Sequence, residues 1–162
     1  MPKPLPDLTE LDNAQLIEHY GATMLALRER GIVRSGNNPI ADIAERIVAT
    51  YVGGALAEPN EKSFDVRSAD DKTLQVKGLR RTQSNRTTLS ALRSLAFDEL
   101  AVVVFEIDMT VVEGVFVPVS VVEELMGWSN TWQANRVSLT KKFLADDRVV
   151  RVPAEQLLTT LR

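Results

Sequence analysis

The feature that most constrains the fold is an almost continuous apolar run over residues 100–107, Leu-Ala-Val-Val-Val-Phe-Glu-Ile. Its length and β-branched content predict a strand, and the lack of alternation predicts that both faces of this strand are buried. Residues 111–119 predict a second strand, paired with the first through a turn at residues 108–110. We therefore expect a sheet that is covered by other elements.

Helical patterns precede and follow these strands. An apolar stripe with a 3.6-residue period predicts a first helix over residues 9–30. A second helix is predicted to begin with Asn38 as its cap and Pro39 in its first position, and to end at Gly53. Shorter helices are predicted over residues 89–97, 121–126, 139–144 and 154–161.

Two further segments, residues 63–67 and 73–77, alternate apolar with polar side chains. This alternation predicts a β-hairpin that turns at residues 68–71, followed by a basic loop over residues 78–84. The resulting order, α-α-β-β-α-β-β-α-α-α, is typical of an α/β or α+β sheet flanked by helices. The chain has 162 residues, which suits a single domain.

Composition excludes several classes of site. The chain has no cysteine and one histidine, so neither a thiol nucleophile, a multi-histidine zinc site nor a Ser-His-Asp triad is expected. No apolar run is long enough to span a bilayer, and the first residues lack the apolar stretch of a secretory signal. We expect a cytoplasmic protein without a membrane partner.

Charge is distributed unevenly along the chain. The net charge is −3, yet residues 62–93 carry eight basic and three acidic side chains, which leaves −8 for the remainder. A local basic face on an acidic body can hold a polyanion, although a solvated surface with scattered arginines would give the same pattern.

The polar side chains of the predicted hairpin are the candidates for a functional site. If the turn is centred near Asp70, Asp65 lies opposite Gln75, and Lys77 lies one dipeptide further along the same face. The apolar side chains of the hairpin are then expected to share the other face: Phe64, Val66, Leu74 and Val76. An exposed polar face of a hairpin is the alternative interpretation of this pattern.

This group suits phosphodiester hydrolysis. Mg²⁺ (or Mn²⁺) takes oxygen ligands and keeps several waters, so one or two carboxylates and an amide oxygen suffice. A lysine beside the metal can orient or deprotonate water, or stabilise the charged phosphate. Glu45 is the candidate for the second carboxylate, because it falls at the edge of the apolar stripe of its helix.

Glu45 on a helix, Asp65 on a strand and Gln75-Val76-Lys77 on the next strand resemble the PD-(D/E)XK nuclease superfamily, which includes restriction endonucleases and Holliday-junction resolvases. The resemblance covers residues 34–118, with residues 1–33 as an N-terminal helix and residues 119–162 as a C-terminal helical tail. It implies a restriction-endonuclease-like fold with a mixed central sheet and a Mg²⁺-dependent nuclease that acts on DNA. The catalytic residues would be Glu45, Asp65, Gln75 and Lys77, of which the first three would bind the metal.

Gln75 departs from the commoner Glu or Asp at its position, which lowers the negative charge of the site. A nucleic-acid-binding or protein-assembly module that has lost catalysis therefore stays open, as does an interaction protein without a nucleic-acid role. A homodimer is one way for so small a nuclease to cut both strands.

Basic side chains near the hairpin are expected to contact phosphate without reading sequence. The candidates are Lys72, Arg80, Arg81 and Arg86. Arg93 is expected on a helix surface. Trp128 and Trp132 follow an apolar helix, so we expect them in the core or in a subunit contact more than stacked on bases.

Overall fold

The computed structural model describes residues 4–36, 38–81, 87–159 and 161. The chain divides into two compact units, Met1–Asn37 and Asn38–Arg162. The first unit carries helix α1 (Asn13–Glu29), which confirms the first predicted helix. This helix begins later than expected because Asp12 caps it. The Asp12 carboxylate accepts from the Gln15 N–H and the Gln15 side chain accepts from the Asp12 N–H, both at 2.9 Å.

The second unit contains four helices and eight strands among its described residues. The helices are α2 (Pro39–Tyr51), α3 (Val119–Leu125), α4 (Lys141–Leu144) and α5 (Ala154–Leu157). The strands are β1 (Ala55–Leu56), β2 (Val66–Arg67), β3 (Thr73–Arg80), β4 (Glu99–Phe105), β5 (Val111–Pro118), β6 (Gly127–Ser129), β7 (Ala134–Arg136) and β8 (Val150–Pro153).

Six of these strands form one mixed sheet in the order β1-β2-β3-β4-β5-β8. β3 and β4 run parallel, and the other neighbouring pairs are antiparallel. β6 and β7 form a separate antiparallel pair. The expectation of a mixed α/β architecture is therefore confirmed.

Strand β4 is buried on both faces, as its apolar run predicts. Ala101, Val103 and Phe105 join an apolar cluster that includes Ile47 and Val48 of α2. Leu100, Val102 and Val104 join a second cluster on the opposite face, together with side chains of α3, α4 and the segment before β4. The sheet thus separates two cores, each of which hides apolar surface from water.

Helix α2 begins where the sequence predicts. The Asn38 side chain accepts a hydrogen bond from the Ile40 N–H at 3.1 Å, and Pro39 occupies the first turn. Ala44, Ile47 and Val48 lie on its buried face. One side of α2 is therefore fixed against the sheet.

The prediction of a helix over residues 89–97 is wrong. This segment forms no helix, and two of its backbone N–H groups bond to a distant part of the chain. The Leu89 N–H donates to the Val137 carbonyl at 2.8 Å, and the Leu92 N–H donates to the Asn135 carbonyl at 3.1 Å. Helical apolar spacing failed here because an external partner takes the hydrogen bonds that a helix would make internally.

Two details of the hairpin also differ from prediction. β2 is only two residues long, and Phe64 packs with the cluster opposite to that of Val66 because the chain leaves the sheet at Asp65. β3 continues to Arg80, so the predicted basic loop begins later, and residues 82–84 lie outside the described residues.

The segment predicted as a helical tail carries strands as well as helices. α3, α4 and α5 match the three short helices expected after residue 119, while β6, β7 and β8 were not predicted. β8 extends the central sheet beyond β5. In the part of the chain that the structure describes, no helix is both long and apolar enough to cross a membrane.

Candidate active site

The candidate site lies where strand pairing between β2 and β3 ends. Val66 is paired with Leu74, so the register places Asp65 opposite Gln75, as predicted. The Asp65 N–H donates to the Leu74 carbonyl at 2.8 Å, and the Val76 N–H then donates to Oδ2 of Asp65 at 2.7 Å. A side-chain oxygen thus takes the place of the next backbone acceptor, and this replacement holds the Asp65 carboxylate against the edge of β3.

Gln75 contacts Asp65 directly. Its Nε2 donates to the same Oδ2 atom that accepts from the backbone of Val76. The same amide also has a carbonyl oxygen, which can act as an acceptor. Two donors on one oxygen fix the orientation of the Asp65 carboxylate.

Lys77 follows on the same face of β3 and is half-buried. Its Nζ donates to the Ala91 carbonyl at 3.4 Å. Burial lowers the pKa of Lys77 below its usual value, while the Asp65 carboxylate acts in the opposite direction. The nearby charge of Arg93 lowers this pKa further, and Glu45 raises it. Lys77 is therefore an ammonium that gives up its proton more readily than a lysine on the surface.

Glu45 reaches this site because α2 lies very close to β3. A Cβ atom added to Gly78 would lie 2.4 Å from Cγ2 of Ile40 and 3.2 Å from its carbonyl oxygen. Only glycine lets the first turn of the helix approach the strand this closely. Glu45 follows little more than one turn later and lines the same cavity as Asp65.

These residues line one open cavity of about 920 Å³ at the edge of β3. The first half of α2 forms one wall, and residues 88–94 with part of the β6–β7 hairpin form the other. The four predicted catalytic residues, Glu45, Asp65, Gln75 and Lys77, are all brought together there.

The predicted phosphate-binding residues do not all lie at the cavity. Arg80 lines the cavity, and its Nε donates to the Ile107 carbonyl at 2.9 Å. Lys72 and Arg81 are not among the described lining residues. Lys72 lies 3.9 Å from Asp70 in the hairpin turn, and Arg81 forms ion pairs with Glu106 and Glu113. Arg86 lies outside the described residues.

Three further basic side chains, Lys62, Arg93 and Arg136, line the cavity. Together with Lys77 and Arg80 they make five basic residues against two acidic ones among the described lining residues. A chain with a net charge of −3 thus concentrates positive charge in one cavity. Arg136 gave no signal in the sequence, because its approach to residues 88–94 depends on pairing between distant segments.

The expectation that Trp128 and Trp132 pack in the core is wrong, and a subunit contact stays a prediction. Their exposed fractions are 59% and 64%, and Trp132 lines the cavity beside Arg136. An aromatic residue after an apolar helix suggests burial, but Trp128 lies on β6, which has no buried residue, and Trp132 lies in the exposed turn that follows.

The donor chemistry of the cavity suits a hard divalent cation. In the described part of the chain, no group of three or more His, Cys, Asp or Glu side chains is arranged to hold a metal ion. The cavity instead offers two carboxylates, Glu45 and Asp65, and the amide oxygen of Gln75. This set fits Mg²⁺, which binds proteins through few oxygen ligands and keeps several waters.

A comparison with models of known protein families gives no match, and no curated protein shows significant sequence similarity to this chain.

Proposed function

We propose that this protein is a metal-dependent nuclease of the restriction-endonuclease-like type, acting on DNA. The observation that carries the proposal is the convergence of Glu45, Asp65, Gln75 and Lys77 in one positively charged cavity. The mixed sheet, with its hairpin strand lying beside a buried parallel strand, supports the fold assignment.

Each side chain has a task in this proposal. Glu45, Asp65 and the amide oxygen of Gln75 would hold Mg²⁺, which when bound neutralises charge on the phosphate and makes hydroxide accessible near neutral pH. Lys77 donates a hydrogen bond to the attacking water or to a phosphate oxygen, and its lowered pKa brings a role as proton acceptor within reach. Arg80 and Arg93 attract the phosphate backbone.

A second candidate function is nucleic-acid binding without hydrolysis. The Gln75 amide donates to the Asp65 carboxylate and so occupies one oxygen that would otherwise face a cation. Gln75 also brings less negative charge than an acid would. A cavity that has lost metal affinity would still attract a polyanion through its excess of basic residues.

The decisive experiment is cleavage of circular and linear DNA, single- and double-stranded, with Mg²⁺ or Mn²⁺. We expect wild type to cut only with metal and Lys77→Ala to cut at least about 100-fold more slowly. Lys141→Ala is the matched control, because it removes one exposed lysine charge from the start of α4, outside the cavity.

The results separate the two functions. Equal cutting by wild type and Lys77→Ala would exclude this site as the source of activity. If neither cuts but both shift DNA in a gel, with affinity that falls as salt rises, the binding module replaces the nuclease. Metal titration of wild type and Asp65→Asn adds a direct test, since a catalytic site must lose Mn²⁺ affinity in the variant.

A further inference from the structure

The β6–β7 hairpin carries both tryptophans of the chain, Trp128 within β6 and Trp132 in the turn that follows. Trp128 and Trp132 expose 59% and 64% of their surface. Local contacts hold them, since Nε1 of Trp128 donates to Oδ1 of Asn130 at 3.1 Å and the Trp132 N–H donates to Oγ of Ser129 at 3.4 Å. Single exposed aromatic residues are common on protein surfaces, so exposure alone does not indicate a binding role and the position of each ring relative to the cavity must be considered.

Trp132 is part of the candidate site. It lines the same cavity as Asp65 and Lys77, beside Arg136, whose guanidinium lies 5.4 Å from the centroid of the Trp132 ring. Arg136 also donates to the Leu89 carbonyl through Nε and Nη2, at 3.1 and 2.9 Å. The arginine therefore ties the hairpin to the cavity wall and places a positive charge next to the aromatic ring.

A second open cavity, of about 630 Å³, continues past the hairpin. Arg136 lines both cavities, and the second one also includes Trp128 and Lys142. The two cavities are thus lined by two tryptophans and by cationic side chains, and Arg136 lies directly beside the Trp132 ring. A nucleic-acid strand has the matching chemistry, with a flat base and an anionic phosphate in each nucleotide.

We propose that the β6–β7 hairpin is a stacking platform for an unpaired base, so that the substrate is a nucleic acid with a single-stranded or frayed stretch next to the bond in the cavity. This inference rests on the proposed function only in requiring that a nucleic acid enters the cavity. In a duplex the faces of each base are covered by its neighbours, whereas an unpaired base offers a face to Trp132. The excess of basic over acidic lining residues favours a polyanion over a second copy of this acidic chain.

Intrinsic fluorescence tests the platform directly, because the chain has only two tryptophans. Trp128→Phe leaves Trp132 as the sole reporter, and Trp132→Phe leaves Trp128. In EDTA, where metal-dependent cutting cannot occur, we expect oligodeoxythymidine to quench Trp132 strongly. A blunt DNA duplex at the same phosphate concentration should quench it much less.

Affinity gives the second readout. Trp132→Ala should weaken binding of oligodeoxythymidine roughly 5- to 150-fold, the range expected for loss of one stacked base. Trp132→Phe should restore part of the loss, because phenylalanine keeps a ring. Circular dichroism checks that the exposed substitution leaves the fold intact.

Three results would overturn the platform: equal quenching by duplex and single strand, unchanged affinity in Trp132→Ala, or a dimer in sedimentation that Trp132→Ala converts to a monomer. The two proposals fail separately. Trp132-dependent binding without cutting under any metal would remove the nuclease and keep the platform. Cutting that is unchanged in Trp132→Ala and equal on single- and double-stranded DNA would keep the nuclease and remove the platform.

Discussion

The two walls of the candidate cavity are held in place by different means. On one side, α2 satisfies its own backbone hydrogen bonds and buries Ala44, Ile47 and Val48 against the sheet. On the other side, residues 88–94 form neither a helix nor a strand, and isolated pairings join Thr88 to Ser138 and Leu92 to Asn135. One wall is a regular element on a continuous core, and the other is an irregular segment fastened at separate points.

This difference bears on how the site works. Gln75 and Lys77 lie on β3, between the two walls, and the Asp65 carboxylate is bonded to the edge of the same strand, so the central strand of the cavity holds these groups in place. The irregular wall contributes the side chains of Arg93 and Trp132, and its Ala91 carbonyl accepts the hydrogen bond from Lys77. Segments with few regular hydrogen bonds open at lower free energy, so we expect this wall to adapt to substrate while the α2 wall stays in place.

The largest expected effect comes from truncating the core beneath the irregular wall. Leu89 is 1% exposed, and Leu89→Ala should lower the free energy of unfolding by about 2–5 kcal/mol. Ile47→Ala, 2% exposed beneath α2, is the matched change on the other wall and should cost a similar amount.

Hydrogen exchange would then sharpen the comparison. The amides of residues 88–94 should exchange faster in Leu89→Ala than in Ile47→Ala, because only the first variant loosens the irregular wall. Denaturant unfolding supplies the energies. A loss below about 1 kcal/mol for Leu89→Ala would contradict the packing of this wall.

An intermediate effect is expected at the contact between α2 and β3. In Gly78→Ala the new methyl group would meet Ile40, so the helix must shift and the free energy of unfolding should fall by about 1–3 kcal/mol. Gly127→Ala, at the start of β6, is the control, since a Cβ there meets nothing within 4 Å.

Thermal denaturation compares the two glycine variants, and metal-dependent activity shows whether Glu45 has moved. Full activity and unchanged stability in Gly78→Ala would mean that the close approach of the helix is not needed for the site.

The smallest effect is the pH dependence contributed by Lys77. Because burial lowers its pKa below 10.5, the unfolded chain holds the proton more tightly than the folded protein. The penalty for burying the ammonium is complete below the folded pKa and is relieved as pH rises towards the unfolded value. The free energy of unfolding due to this group should therefore increase over that interval.

Lys77→Met should remove this dependence and raise the midpoint of thermal unfolding at pH 7. The advantage of the variant over wild type should shrink as pH approaches that of an unfolded lysine. Lys141→Met, on an exposed site, provides the baseline. A variant less stable than wild type at neutral pH would show that the attraction of Asp65 and Glu45 outweighs burial.

The sequence by itself determined the elements whose cause is local. The cap at Asn38, the buried face of α2, the burial of β4 and the facing of Asp65 and Gln75 follow from side-chain periodicity and turn length. Each of these signals lies within a dozen residues, where the backbone geometry leaves few alternatives.

Only the tertiary structure decided what completes the cavity. Residues 88–94 do not form a helix because backbone groups among them bond to residues more than forty positions later, and Arg136 donates to the Leu89 carbonyl across a similar separation. The same long-range pairing brings Arg93 and Trp132 to the cavity, while Lys72 and Arg81 pair with acids outside it. The sequence shows which side chains are charged or aromatic. Where those side chains lie depends on which distant segment pairs with the backbone groups that no local element satisfies.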